Sequence, residues 1–290
     1  MFDAHTHAHF AAFEKDYKEV TDRALKAGVG FINVGTQIDT SRRAVEVAHE
    51  FENHPVYATV GLHPTHTEKS YHDAQELGGG ETAKAFTSRG EEFNPKAYLE
   101  MARDPKVVAI GECGIDYYRV PSTNPEQGTN FRTTKEKQTE VFRKHIEVAQ
   151  AVNKPLMIHC RPSKGTDDAY EDILAIITNY QFPISKIMHF YVGSPAMTKK
   201  FIDAGFNFTF GGVITFSRDY DEQIKMIPDD RILLETDAPY VAPQSKRGQR
   251  NEPAYVIEVA KKMAEIRGVS YNRIEEIIKQ NAKRVFGISV

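Results

Sequence analysis

Short runs of apolar and β-branched residues alternate along the chain with longer stretches in which apolar positions recur every three or four residues. The first kind predicts strands buried on both faces, the second amphipathic helices packed on one side. Read this way, strands fall at 2–7, 29–35, 56–62, 107–116, 155–160, 186–190, 206–216 and 232–235. Helices fall between and after them at 13–26, 41–52, 96–103, 135–151, 168–180, 195–204, 251–267 and 271–286. The segment 65–93 breaks the rhythm. It is far longer than an ordinary strand-to-helix connection and contains Gly78-Gly79-Gly80, so it reads as a lid or an insertion.

Eight strands separated by helices over 290 residues fit a (β/α)8 TIM-type barrel, in which functional groups gather at the C-terminal strand ends. No low-complexity linker or shift of composition marks a boundary, and 1–290 reads as one domain. With 40% hydrophobic and 27% charged residues the chain can bury a large core. A formal charge of −3 provides no global basic field, so a nucleic-acid contact has to come from a local patch. No apolar run reaches the roughly 18 residues of a membrane span, and the N-terminus lacks the basic and apolar regions of a signal peptide, which makes the cytoplasm the expected location. Cys113 and Cys160 form no CxxC pair and are expected to be reduced and packed.

The strand ends carry the chemistry. Val107 to Asp116 is apolar except for Glu112 and Asp116, and a carboxylate at the end of a buried strand needs a cation beside it. Other strands offer partners at the same point of their units. The first ends Asp3-Ala4-His5-Thr6-His7, whose period of two puts Asp3, His5 and His7 on one face. The fifth ends in His159, the sixth in His189, and the eighth in Glu235-Thr236-Asp237. A single His at a strand end is ordinary, and His-x-His alone is a weak signal. His5, His7, Glu112, His159, His189 and Asp237 at one barrel mouth exceed the needs of one tetrahedral ion and predict two divalent ions, Zn, Mn or Mg, bridged by a carboxylate. Glu112 is the expected bridge, with His5, His7 and Asp237 on one ion and His159 and His189 on the other. Asp237 is expected also to accept the proton of an attacking water, and Glu235, one layer deeper, to pair with a ligand. His9, His49, His54, His66, His72 and His145 have no such placement and read as surface or loop residues.

The motifs Asp3-Ala4-His5-Thr6-His7, Val60-Gly61-Leu62-His63-Pro64, Ile110-Gly111-Glu112-Cys113-Gly114-Ile115-Asp116, Ile158-His159-Cys160-Arg161, Met188-His189-Phe190, Glu235-Thr236-Asp237-Ala238-Pro239-Tyr240 and Arg250-Asn251-Glu252-Pro253 run the length of the chain. Together they resemble the TatD-type metal-dependent deoxyribonucleases of the amidohydrolase superfamily. The resemblance implies a TIM-type barrel, a two-metal site on the six residues above, and hydrolysis of DNA phosphodiesters, typically from a free 3′ end of single-stranded DNA. The chain departs from the family in the run after His189 and in the length of 65–93, which bear on substrate access. His63, Arg161 and Arg119 should project near the metals toward a scissile phosphate, and Lys246, Arg247 and Arg250 place three cations in the loop after the eighth strand. Tyr117, Tyr118 and Tyr191 are candidate stacking surfaces for an unpaired base. Two other readings use the same barrel: a two-metal ester or amide hydrolase, such as a D-aminoacyl-tRNA deacylase, and a non-catalytic nucleic-acid-binding barrel. Related amidases often bridge their metals with a carbamylated Lys where Glu112 stands, and a binding module has no need of a full ligand set.

Overall fold

The computed structural model describes residues 1–72, 86–118, 131–180 and 183–290. Among these, eight parallel strands form one sheet in the order β1 (Phe2–Thr6), β2 (Gly30–Val34), β3 (Val56–Val60), β6 (Val107–Asp116), β7 (Leu156–Arg161), β8 (Lys186–Met188), β9 (Phe206–Phe210) and β10 (Ile232–Leu234). Helices α1 (Tyr17–Lys26), α2 (Ile38–Glu50), α3 (Pro95–Ala102), α4 (Phe131–Val152), α5 (Asp168–Thr178), α6 (Pro195–Asp203), α7 (Asp221–Met226), α8 (Val256–Arg267) and α9 (Tyr271–Phe286) alternate with the strands or follow them. This is the expected barrel. No helix among the described residues is long and apolar enough to cross a membrane. Both cysteines are free and buried.

The sequence explains the elements locally. In α9, Ile274, Ile277, Ile278, Ala282, Val285 and Phe286 form the buried stripe, Ser270 caps the first turn by accepting from Arg273 N–H, and Gly287 ends the helix at φ 66°. In β6 every residue is buried. Gly111 and Gly114 have φ of 149° and 142°, and a Cβ on Gly114 would lie 2.0 Å from the His159 carbonyl oxygen. Only glycine lets β6 run so close to β7, and that approach brings Glu112 beside His159.

The ring is drawn together at its seam by the segment after β10. Asp237 N–H donates to His5 O (2.9 Å), His7 N–H donates to Ala238 O (2.7 Å), and Thr236 donates its N–H and hydroxyl to the buried Asp3 carboxylate at 3.0 and 2.5 Å. Burial pushes the Asp3 carboxyl well above the usual carboxylate range, against the pull of these bonds.

Several boundaries differ from the expectations. The seventh strand stops at Phe210 and gives way to a 3-10 turn, Gly212–Thr215, where Gly212 packs against the 241–243 backbone and a Cβ would lie 2.2 Å from the Val241 carbonyl oxygen. Asn251 opens no helix. Its buried side chain donates to Thr236 O (2.8 Å) and Tyr240 O (2.7 Å), and α8 begins at Val256. Helix α7 had no counterpart in the pattern. Of the 65–93 segment, a 3-10 turn at Pro64–Thr67 and an antiparallel hairpin, β4 (Ser70–His72) with β5 (Phe86–Ser88), are described, while 73–85 lie outside the described residues.

Candidate metal centre

Strand ends from around the ring deliver imidazoles to a single carboxylate. Glu112 Oε2 lies 3.5 Å from His5 Nε2 and 3.9 Å from His7 Nε2, while its Oε1 lies 2.9 Å from His159 Nδ1, 3.3 Å from His63 Nε2 and 3.5 Å from His189 Nε2. Asp237 Oδ1 lies 3.4 Å from His7 Nε2 and 3.7 Å from His5 Nε2. Three overlapping sets have ligand atoms within 4.8 Å of one another: His5, His7 and Asp237; His5, Glu112 and His189; and His63, Glu112 and His159. The two oxygens of Glu112 therefore face different groups of imidazoles.

Hydrogen bonds behind the rings decide which nitrogens point forward. His7 Nδ1–H donates to the Val34 carbonyl at 2.7 Å, which leaves the Nε2 lone pair facing Asp237 and His5. His189 Nδ1 faces Glu235 Oε2 at 2.9 Å, and that carboxylate also accepts from Thr209 Oγ1 at 2.5 Å. His159 Nε2 faces Asp116 Oδ2 at 3.0 Å, turning Nδ1 toward Glu112. His63 is built the other way round. Its Nδ1 accepts from Thr65 N–H at 3.2 Å, so the proton sits on Nε2, pointing at Glu112. His5 Nδ1 is buried without a partner, and His5 Nε2 lies 3.2 Å from His7 Nε2. Imidazole nitrogens and carboxylate oxygens that converge in a buried site are the donor set of a divalent cation.

The electrostatics agree. Burial alone would raise the Glu112 carboxyl, yet His63 and His189, with hydrogen bonds from His159 and His5, hold it well below the usual range. Burial would lower His189, but Glu235 and Glu112 outweigh it and push its pKa up to about 10. The site attracts positive charge wherever a proton or a metal ion can supply it. Glu235→Gln removes the charge behind His189 and should weaken divalent-ion binding about 10- to 100-fold, read by competition with a coloured chelator.

The structure brings His5, His7, Glu112, His159, His189 and Asp237 together as the spacing anticipated, and adds two groups to them. Asp116 was not singled out, although it lies four residues beyond Glu112 in a strand of period two. His63 lies within ligand distance of Glu112. Arg161 lies over the Tyr118 ring, 3.8 Å from its centroid. Arg119 lies outside the described residues. The loop cations are held on the protein's own surface: Lys246 is 5.1 Å from the Tyr255 ring centroid and Arg247 is 4.7 Å from that of Phe216. Arg250 donates to Asp16 Oδ1 and Oδ2 at 2.9 and 2.5 Å and to Ala12 O at 2.6 Å, so its donors serve as a structural clamp.

The reading of the remaining histidines needs correcting. His49 and His54 are exposed, but His9, His66 and His145 are buried, and the side chain of His72 is outside those described. His145 on α4 accepts from Leu62 N–H at 2.9 Å and donates from Nδ1 to Val141 O at 2.8 Å, fixing the turn that carries His63; burial lowers its pKa to about 4. Two of the proposed stacking tyrosines are also packed inside. Tyr117 and Tyr191 are each 2% exposed and bond Asp172 and Thr198 through their hydroxyls, whereas Tyr118 is 46% exposed.

A family model described as TatD related DNase matches residues 2–287. An uncharacterized metal-dependent hydrolase, YabD, of Bacillus subtilis is 34% identical over 293 residues, covering 100% of both chains. A protein of Klebsiella pneumoniae named 3′-5′ ssDNA/RNA exonuclease TatD is 30% identical over 302 residues, covering 100% of this chain and 99% of that one. The crystal structure of the TatD homologue YJJV of Escherichia coli superposes with a TM-score of 0.76 at 23% identity, covering 99% of this chain and 98% of that one, a likeness of fold.

Proposed function

From the premise that the chain belongs to the TatD-related DNase family and is a metal-dependent hydrolase, we propose that it hydrolyses phosphodiester bonds of single-stranded DNA from a free 3′ end, using two divalent ions held by His5, His7, Glu112, His159, His189 and Asp237. The observation that carries the two-ion reading is the split of Glu112: Oε2 faces His5 and His7, and Oε1 faces His159, His63 and His189. A carboxylate so placed can give one oxygen to each of two cations. The name of the Klebsiella relative supports the substrate class and the direction of attack.

When bound, two such ions would neutralise charge on the phosphoryl oxygens and make an attacking water more acidic. The chain's residues supply the rest. Asp237 takes the water proton, its carboxylate held ionised by His7 and His189 against the effect of burial. His63, with its proton on Nε2, and Arg161 donate to the scissile phosphate, and water protonates the departing 3′ oxygen. Glu235 and Asp116 keep His189 and His159 aimed forward.

Exhaustive chelation should bring hydrolysis of a 5′-labelled single-stranded oligonucleotide to background, and adding back Mg²⁺, Mn²⁺ or Zn²⁺ should restore it. A 3′-phosphorothioate block should stop the wild-type reaction. Activity that survives chelation overturns the metal mechanism; equal cleavage of blocked and free ends overturns the exonuclease reading.

A further inference from the structure

The barrel mouth carries aromatic surface on two opposite sides of the metal centre. Phe10, just after β1, is partly exposed and stacks on His7 with ring centroids 4.3 Å apart and planes 18° apart. Tyr240, after β10, is also partly exposed and meets the His7 ring edge-on at 6.1 Å. Its backbone is held by a bond to Asp237 O (2.9 Å) and one from Asn251 (2.7 Å). On the other side, Tyr118 follows β6 and Arg161 ends β7. Tyr118 N–H donates to Asp116 Oδ1 at 3.0 Å, and the other oxygen of Asp116 faces His159. In the strand order, β10 and β1 lie four places around the ring from β6 and β7 respectively, so the two aromatic groups follow strands on opposite sides of the barrel.

Large aromatic side chains left partly open beside a buried charged centre, on backbones fixed by hydrogen bonds, form rigid stacking surfaces. Bases stack on aromatic rings and on arginine planes, and every base has a face to offer. A phosphate ester without bases would gain nothing from them. We propose that Phe10 with Tyr240 and Tyr118 with Arg161 hold the two nucleosides flanking the scissile phosphate, one on each side of the metal centre. This rests on the nuclease reading above and extends it: the substrate is recognised through two unpaired bases, with little regard to sequence. A base-paired end has to fray before it can enter.

The test compares three single-stranded oligonucleotides, one natural, one with a tetrahydrofuran abasic residue at the 3′-terminal position and one with it at the penultimate position. Each abasic residue should lower wild-type kcat/KM about 5- to 150-fold, the range that one stacked base contributes. On the natural strand Tyr118→Ala and Phe10→Ala should fall by a similar factor, and each should lose nothing more when one particular base is missing, a different one for each variant. Tyr118→Phe keeps the ring and should restore the wild-type preference. Equal wild-type rates on all three strands overturn the stacking proposal and leave the nuclease standing, as do variants that lose the same factor on every strand. A wild type that cleaves none of them with any divalent ion overturns the nuclease reading, and the stacking proposal with it.

Discussion

Glu112→Gln is expected to bind one divalent ion per chain in place of the two proposed for the wild type, and to lose more than about 100-fold in kcat/KM, beyond the ~10- to 100-fold typical of a partner behind a ligand. The change is nearly isosteric, so the glycine-lined passage of β6 beside β7 is preserved. What changes is the number of oxygens. Oε1 faces three imidazoles and Oε2 two. A neutral amide offers one oxygen to one side and turns an NH₂ toward the other, where it can ligate nothing. Elemental analysis of desalted protein, read beside the rate, separates the outcomes. Two equivalents of tightly held metal in Glu112→Gln would show that the ions do not share this residue.

The barrel and the centre of this site were legible because both follow from periodicity. Strands buried on both faces read as unbroken apolar runs, and a polar residue ending such a run is conspicuous, which is how Glu112, His159 and His189 were found. What failed was whatever depends on packing between elements distant in sequence. His145 sits on a helix among residues whose pattern only marks it as non-apolar, and its burial follows from the approach of Leu62, 83 residues away. Arg250 looked like a free cation because Asp16, its partner, is 234 residues away. The end of the seventh strand was missed because apolar and aromatic residues recur from Phe206 to Phe216; Gly211-Gly212 was the available signal for the turn. Asp116 was recoverable from the same alternation that identified Glu112. The short paired strands between 65 and 93 lack the alternation that makes a strand readable.

Asp237→Asn should keep the two proposed ions and fold normally while kcat falls about 10²- to 10⁴-fold, the range of a lost general base. The residue is fixed in place by its backbone: Asp237 has φ 54°, with its N–H bonded to His5 O. Asn tolerates this left-handed conformation nearly as well as Asp, whereas alanine would add backbone strain and blur the result. The amide oxygen of Asn can still face His7 and His5 at the distances Asp237 Oδ1 now holds, 3.4 and 3.7 Å, so metal binding should survive. It cannot take a proton from water at neutral pH. The decisive comparison is therefore between metal content and rate in one preparation. A variant with two ions and wild-type turnover would assign the proton to another acceptor, while one that loses metal in step with rate would make Asp237 a ligand alone.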